Sequence, residues 1–110
     1  MKIKDVPFSI TDWKKIEPGE HKGECGTSFW RMFESGNIRV RMVEYSPGFR
    51  ADHWCPRGHV LLVLEGELFI KLKDGQVFQL ESGTSFQVAD DESNPHLAYT
   101  ERGAKVFIID

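Results

Sequence analysis

The chain has no hydrophobic run that could cross a bilayer: its longest, Val60 to Leu64, falls far short of the roughly 20 residues a spanning helix needs. Nor does it carry a surplus of positive charge. Its 14 Lys and Arg face 17 Asp and Glu, for a net charge of -3. The basic residues are scattered and answered by nearby acids, as in Arg31/Glu34 and Arg39/Arg41/Glu44. Phosphate backbones are held by a basic face, and none is visible, so nucleic acid is excluded as an expected partner. Met1-Lys2-Ile3-Lys4-Asp5 is not followed by the apolar run of a secretory leader. A cytoplasmic protein with no membrane partner is therefore expected. Cysteine is sparse too, at 2 residues. In a cytosolic chain Cys25 and Cys55 are more often reduced thiols or ligands than a disulfide.

Helical periodicity is also missing. Thr11 to Ile16 reads as one short turn capped by Thr11 or Asp12, and no other segment of useful length repeats every 3.6 residues. There are no solenoid repeats and no low-complexity tract. What is present is an ordinary globular composition, 40% hydrophobic and 28% charged over 110 residues, which suits one domain. We read residues 1–110 as that domain, with 1–27 as an N-terminal extension and 28–110 as the conserved barrel.

Short strand signals recur with turn residues between them. Ser28 to Glu34 is closed by Ser35-Gly36-Asn37. Ile38 to Tyr45 follows, with Ile38, Val40 and Met42 expected inward and the charges between them, Arg39 and Arg41 included, on a solvated face. Those two arginines could otherwise reach into a pocket to hold an anionic substrate. Next comes an expected three-strand meander: His59 to Leu64, a Glu65-Gly66 turn, Glu67 to Lys73, an Asp74-Gly75 turn and Gln76 to Leu80. Asp-Gly suits a type I′ hairpin because both residues tolerate positive φ. Ser82-Gly83 is another turn. Ser85 to Val88, His96 to Thr100 and Ala104 to Ile109 complete the set, with Arg102-Gly103 as the last hairpin turn and Glu17 to Gly26 as a loop. So many strands in so short a chain predict an all-β fold, a single antiparallel β-barrel or jelly roll that hides its edges by closure.

Chemistry-bearing residues gather at two places. His53 and Cys55 are two apart, so an extended chain puts both on one face and Asp52 and Trp54 on the other. Pro56 and Gly58 rule out a helical pairing of Cys55 with His59, and a tight turn would bring His59 back beside the first two. His96, after Asn94-Pro95, opens a strand that a barrel could place opposite. Imidazole and thiolate suit borderline metals, so His53, Cys55, His59 and His96 form a candidate cage for a divalent transition metal such as zinc, iron or nickel. The bland alternatives are histidines satisfied by backbone carbonyls, and Cys55 as a small buried hydrophobe or a pocket nucleophile. Asp52 is expected as a turn cap, or as a carboxylate orienting a ligand. Trp54 is expected against another sheet or a partner. Cys25 is expected to pack passively and His21 to be a solvated loop residue.

The run from Gly48 through His53, Cys55 and His59 to Gly66 resembles the first cupin motif, whose spacing is Gly, five residues, His, one, His, three or four, Glu, six, Gly. Cys55 stands at the second His and His59 at the Glu, and the first gap is one residue short. Gly83 with Phe86-Gln87-Val88 resembles the start of the second motif, and His96 resembles its His. Asp52-His53-Trp54-Cys55 also resembles the signature of the DHCW-motif cupins, a subgroup whose function is generally unassigned. The resemblance spans residues 28–110. It implies a double-stranded β-helix and a metal in the barrel. It also implies action on a small molecule as an oxygenase, isomerase or lyase, and a homodimer in which strands or residues 1 to 25 cross to a partner. The alternative is a non-enzymatic module that binds a metal or small ligand.

Overall fold

The computed structural model describes residues 2–110. Its strands are β1 (Gly19–Lys22), β2 (Thr27–Ser35), β3 (Ile38–Tyr45), β4 (His59–Leu72), β5 (Val77–Glu81), β6 (Ser85–Val88), β7 (His96–Tyr99) and β8 (Ala104–Ile109). Every strand pairing is antiparallel. One sheet runs β1-β2-β3-β8 to the first half of β4, whose other edge takes β6; the second half of β4 lies between β5 and β7. The result is the all-β jelly-roll barrel the sequence predicts. Among the described residues, no helix is long and apolar enough to cross a membrane.

The meander differs from expectation at Glu65-Gly66. There is no turn, and β4 runs unbroken for 14 residues. Its register against β8 shifts between Val63 and Glu65. Such a bulge adds twist, which lets one strand leave the first sheet and enter the second. Gly66 has φ +77, and a Cβ there would sit 2.2 Å from the Gly103 carbonyl oxygen, so backbone crowding as well as conformation demands glycine. Asp74-Gly75 does form the β4–β5 hairpin, but positive φ falls on Gly75 alone, so the turn is not type I′. Asp74 Oδ1 accepts from Gln76 N at 2.9 Å to close it. Arg102-Gly103 turns the chain from β7 to β8, but these strands pair with β4 and with β3 and β4 rather than with each other. It is a crossover between sheets, not a hairpin.

That crossover hangs on Thr100. Its buried hydroxyl donates to Glu67 O at 2.7 Å and accepts from Gly103 N at 3.1 Å. Thr100→Val keeps the shape and strands both groups, so urea unfolding should show a loss of about 1–3 kcal/mol. An unchanged midpoint would mean that water satisfies both.

Between the sheets, Val43, Leu61, Val63, Leu68, Ile70, Leu80, Ala104, Val106 and Ile108 form one buried cluster. In β8 the buried residues alternate, as a strand with one inward face requires. In β3 the alternation is opposite to expectation. Arg41 and Val43 are buried, and Ile38, Val40 and Met42 lie on the outer face. Pairing explains the reversal: Arg41, Val43 and Tyr45 stand opposite Ile108, Val106 and Ala104, the inward residues of β8. The outer face is partly covered by the N-terminal segment, where Trp13 meets Phe107 edge-on at 6.3 Å and Ile16 O accepts from Arg31 Nε at 3.0 Å. The expected loop at 17–26 contains β1, paired with β2 of the same chain. The expected N-terminal turn is a 3-10 turn, Trp13–Lys15, capped by Asp12.

Candidate metal centre

Three of the four candidate ligands converge. Cys55 and His96 form an isolated antiparallel bridge, with Cys55 N to His96 O at 2.8 Å and His96 N to Cys55 O at 3.0 Å. Directly opposed residues put their side chains on one face. His59 arrives as the first residue of β4, paired with Val88 of β6. The chain from Pro56 to Gly58 reaches it without a turn, passing so close to Asp90 that a Cβ on Gly58 would lie 2.5 Å from Asp90 N. The expected tight turn is therefore replaced by an extended crossing. Cys55 Sγ and a nitrogen from each of His59 and His96 lie within 4.8 Å of one another.

His59 Nε2 and His96 Nε2 are 3.0 Å apart. Burial, and then the nearby His59, push the His96 pKa down to about 4, so its imidazole is neutral and offers a lone pair at physiological pH. Phe86 meets both imidazoles edge-on. Around a tetrahedral ion, bonds of about 2.0–2.1 Å to nitrogen and 2.3 Å to sulfur put neighbouring donors roughly 3.3–3.6 Å apart. The two imidazole nitrogens, 3.0 Å apart, are near that spacing, and the wider spread of up to 4.8 Å closes to it with side-chain movement of about 1 Å. The donor set and spacing therefore fit a borderline divalent metal.

His53 does not join this group. Its side chain is 74% exposed, and its Nδ1 lies 2.7 Å from Asp52 Oδ1. Residues 52 and 53 are in a bend, so strand alternation does not carry His53 to the face that Cys55 occupies. Asp52 holds His53 rather than capping a turn, and this contact draws its carboxyl below the ordinary range. Both residues still border the cavity. Trp54 is capped by Lys73, whose Nζ sits 4.3 Å from the ring centroid. Cys25 is exposed rather than packed, and both thiols are free. His21 lies in β1, stacked on Trp30 at 4.0 Å.

The three donors line a cavity of about 520 Å³, within the usual range for small-molecule sites. Arg39, Arg41 and Arg57 also line it, against the expectation that the β3 arginines form a solvated face. They surround Asp110, whose side chain is 1% exposed. Burial alone would raise that carboxyl's pKa, but the contacts of His59 and Arg39 and the charge of Arg41 outweigh it and hold the group far below the usual range. His59 Nδ1 stands 3.4 Å from Asp110 Oδ2, without hydrogen-bond geometry. Burial pushes the neighbouring Tyr45 phenol up to about 12. Asp110 and Trp30 carried no signal in the sequence, because it is the β3–β8 pairing that brings the end of β8 to the arginines.

No protein-family model and no curated protein sequence matches the chain. Solved structures do match. An RmlC-like cupin from Shewanella frigidimarina superposes with a TM-score of 0.75 at 19% identity, covering 96% of this chain and 91% of that one. A predicted oxalate decarboxylase from Thermotoga maritima gives 0.77 at 12% identity, covering 92% and 96%. Fe(II)-HppE with an alternative substrate, (S)-1-HPP, gives 0.73 at 15% identity, covering 99% and 62%. At such identities the likeness is one of architecture. The chain has the cupin fold.

Proposed function

We propose that this protein is a metal-dependent cupin acting on a small molecule, with Cys55, His59 and His96 holding one divalent transition metal. The carrying observation is the convergence of those three donors on one wall of a cavity large enough for a substrate. Three protein ligands are what catalytic zinc sites offer, whereas structural sites close their shell with four. With His53 turned to Asp52, the fourth position is left for substrate or water, and this favours an enzyme over a closed binding module. A bound metal would supply Lewis acidity or redox chemistry there. Around it, Phe86 shields the imidazoles from water, Tyr45 stays protonated, and Asp110 keeps negative charge beside His59. The fold neighbours include a protein described as a predicted oxalate decarboxylase and one crystallised with Fe(II), which supports metal chemistry without choosing a reaction.

We also read the protein as a cytoplasmic homodimer. Its free thiols suit a reducing compartment. Val77 and Phe78 of β5, about half exposed, are apolar surface at the end of the strand order that a second chain could cover.

Elemental analysis of protein purified without chelators tests the metal reading. The wild type should carry close to one equivalent of a transition metal, Cys55→Ser should lose most of it, and His53→Ala should keep it. Full occupancy in Cys55→Ser would remove the thiol from the site. A metal-free wild type that also refuses added zinc, iron and nickel would remove the metal altogether.

A further inference from the structure

The three metal-ligating donors leave a second polar cluster in the same cavity unused. Arg39 grips Asp110 with both edges of its fork, Nε to Oδ1 and Nη2 to Oδ2 at 2.9 Å each. Arg41 Nη2 reaches Oδ2 at 3.0 Å, and Arg57 Nε approaches it at 3.5 Å. Asp52 and Asp110 are the only acids that line the cavity among the described residues, and Asp52 sits exposed against His53. Three guanidinium groups thus converge on one buried side-chain carboxylate.

Donor capacity is also unspent. The Arg41 side chain is only 7% exposed, and its Nε has no hydrogen-bond partner. A buried charged donor without an acceptor is costly, and in a cavity wall it marks a place for one supplied from outside. Trp30 lies against the Arg41 guanidinium, its centroid 4.4 Å from Cζ, and anchors its own indole N–H on Ser28 Oγ at 3.0 Å. This packing fixes the guanidinium plane before any ligand arrives.

We propose that the Arg39–Arg41–Arg57 wall binds the carboxylate of a small organic acid and so presents the rest of that molecule to the Cys55–His59–His96 group. The inference deepens the metal reading and rests on it only for the chemistry at the far end of the ligand. The wall already shows the matching geometry, because a planar guanidinium fork takes two carboxylate oxygens side by side, as Arg39 does with Asp110. Phosphate is the poorer fit. The remaining walls include Phe49, Leu61, Phe86 and Ile108, which cannot solvate a second negative charge.

The test is a titration of the full chain, metal-free and zinc-loaded, at constant ionic strength. Sodium acetate, acetamide and inorganic phosphate serve as probes, with the Trp30 indole N–H resonance as the readout. The metal-free form removes the ion as another seat for acetate. Acetate should shift the resonance saturably in both forms, acetamide should not, and phosphate should bind more weakly than acetate. Arg41→Lys and Arg57→Ala should each weaken acetate by about tenfold or more and leave zinc affinity unchanged. If Arg41→Lys does not fold, the half-exposed Arg57 decides alone. Equal responses to acetate and acetamide, tighter binding of phosphate, or wild-type acetate affinity in the folded variants would overturn the proposal. Acetate binding as described in a protein that takes no zinc would leave this inference standing and remove the metal reading.

Discussion

His96→Ala is expected to weaken zinc binding by about a hundredfold or more, measured by competition with a chromophoric chelator. Loss of groups that merely orient metal ligands typically costs 10–100-fold, so loss of a ligand should lie at or beyond the upper end. His96 is well placed to matter. Its side chain is buried, its Nε2 is 3.0 Å from that of His59, and its backbone locks Cys55 in place through both bonds of their bridge. The alanine keeps that bridge, since the bridge is made by the main chain, so the loss should be confined to the imidazole. His53→Ala supplies the contrast. With its ring turned to Asp52, its removal should change zinc affinity by no more than a few fold. Equal losses in the two variants would mean that His53 swings inward to bind.

Asp110→Asn should be the most destabilising single change of a charge in the chain, at about 3–5 kcal/mol by urea unfolding, because it leaves buried guanidinium groups facing a neutral amide. The groups facing Asp110 are Arg39, Arg41, Arg57 and His59, and the carboxylate is 1% exposed among them. The sign of the pH effect follows from its depressed pKa. The unfolded chain takes up this proton first, near pH 4, so the stabilisation is present above that pH and fades as the pH falls toward the lower folded value. The variant should lack this acid-side decline. A separate decline belongs to His96. Its folded pKa of about 4 lies below the unfolded 6.5, so metal-free protein loses stability as the pH drops through that window in wild type and variant alike. A wild-type acid limb retained in Asp110→Asn would mean that the arginines are paired elsewhere.

Strand positions were legible in the chain wherever turn residues bracketed an apolar run. Ile38 to Tyr45, Ser85 to Val88 and Ala104 to Ile109 fall where the structure has β3, β6 and β8. Sequence pattern and structure part where local pattern and tertiary pairing compete. Glu65-Gly66 has the composition of a turn, but β8 pairs across it and makes it a bulge. The facing of β3 could not be settled locally, since one parity holds Ile38, Val40, Met42 and Glu44 and the other holds Arg39, Arg41, Val43 and Tyr45. Burying two arginines becomes acceptable only once Asp110 is beside them, 69 and 71 residues along the chain. Cys55, His59 and His96 lie together in the fold, and residue type already marked them in the sequence as possible partners. His53 stands apart from them, because a bend at residues 52–53 breaks the strand alternation.

X-ray absorption at the metal edge of the zinc-loaded wild type bears most directly on the central claim. One sulfur and two imidazole nitrogens around the ion, with one further light atom that acetate or water can supply, is the shell predicted here. A shell without sulfur, or one with three imidazoles and a sulfur and no exchangeable position, would contradict it.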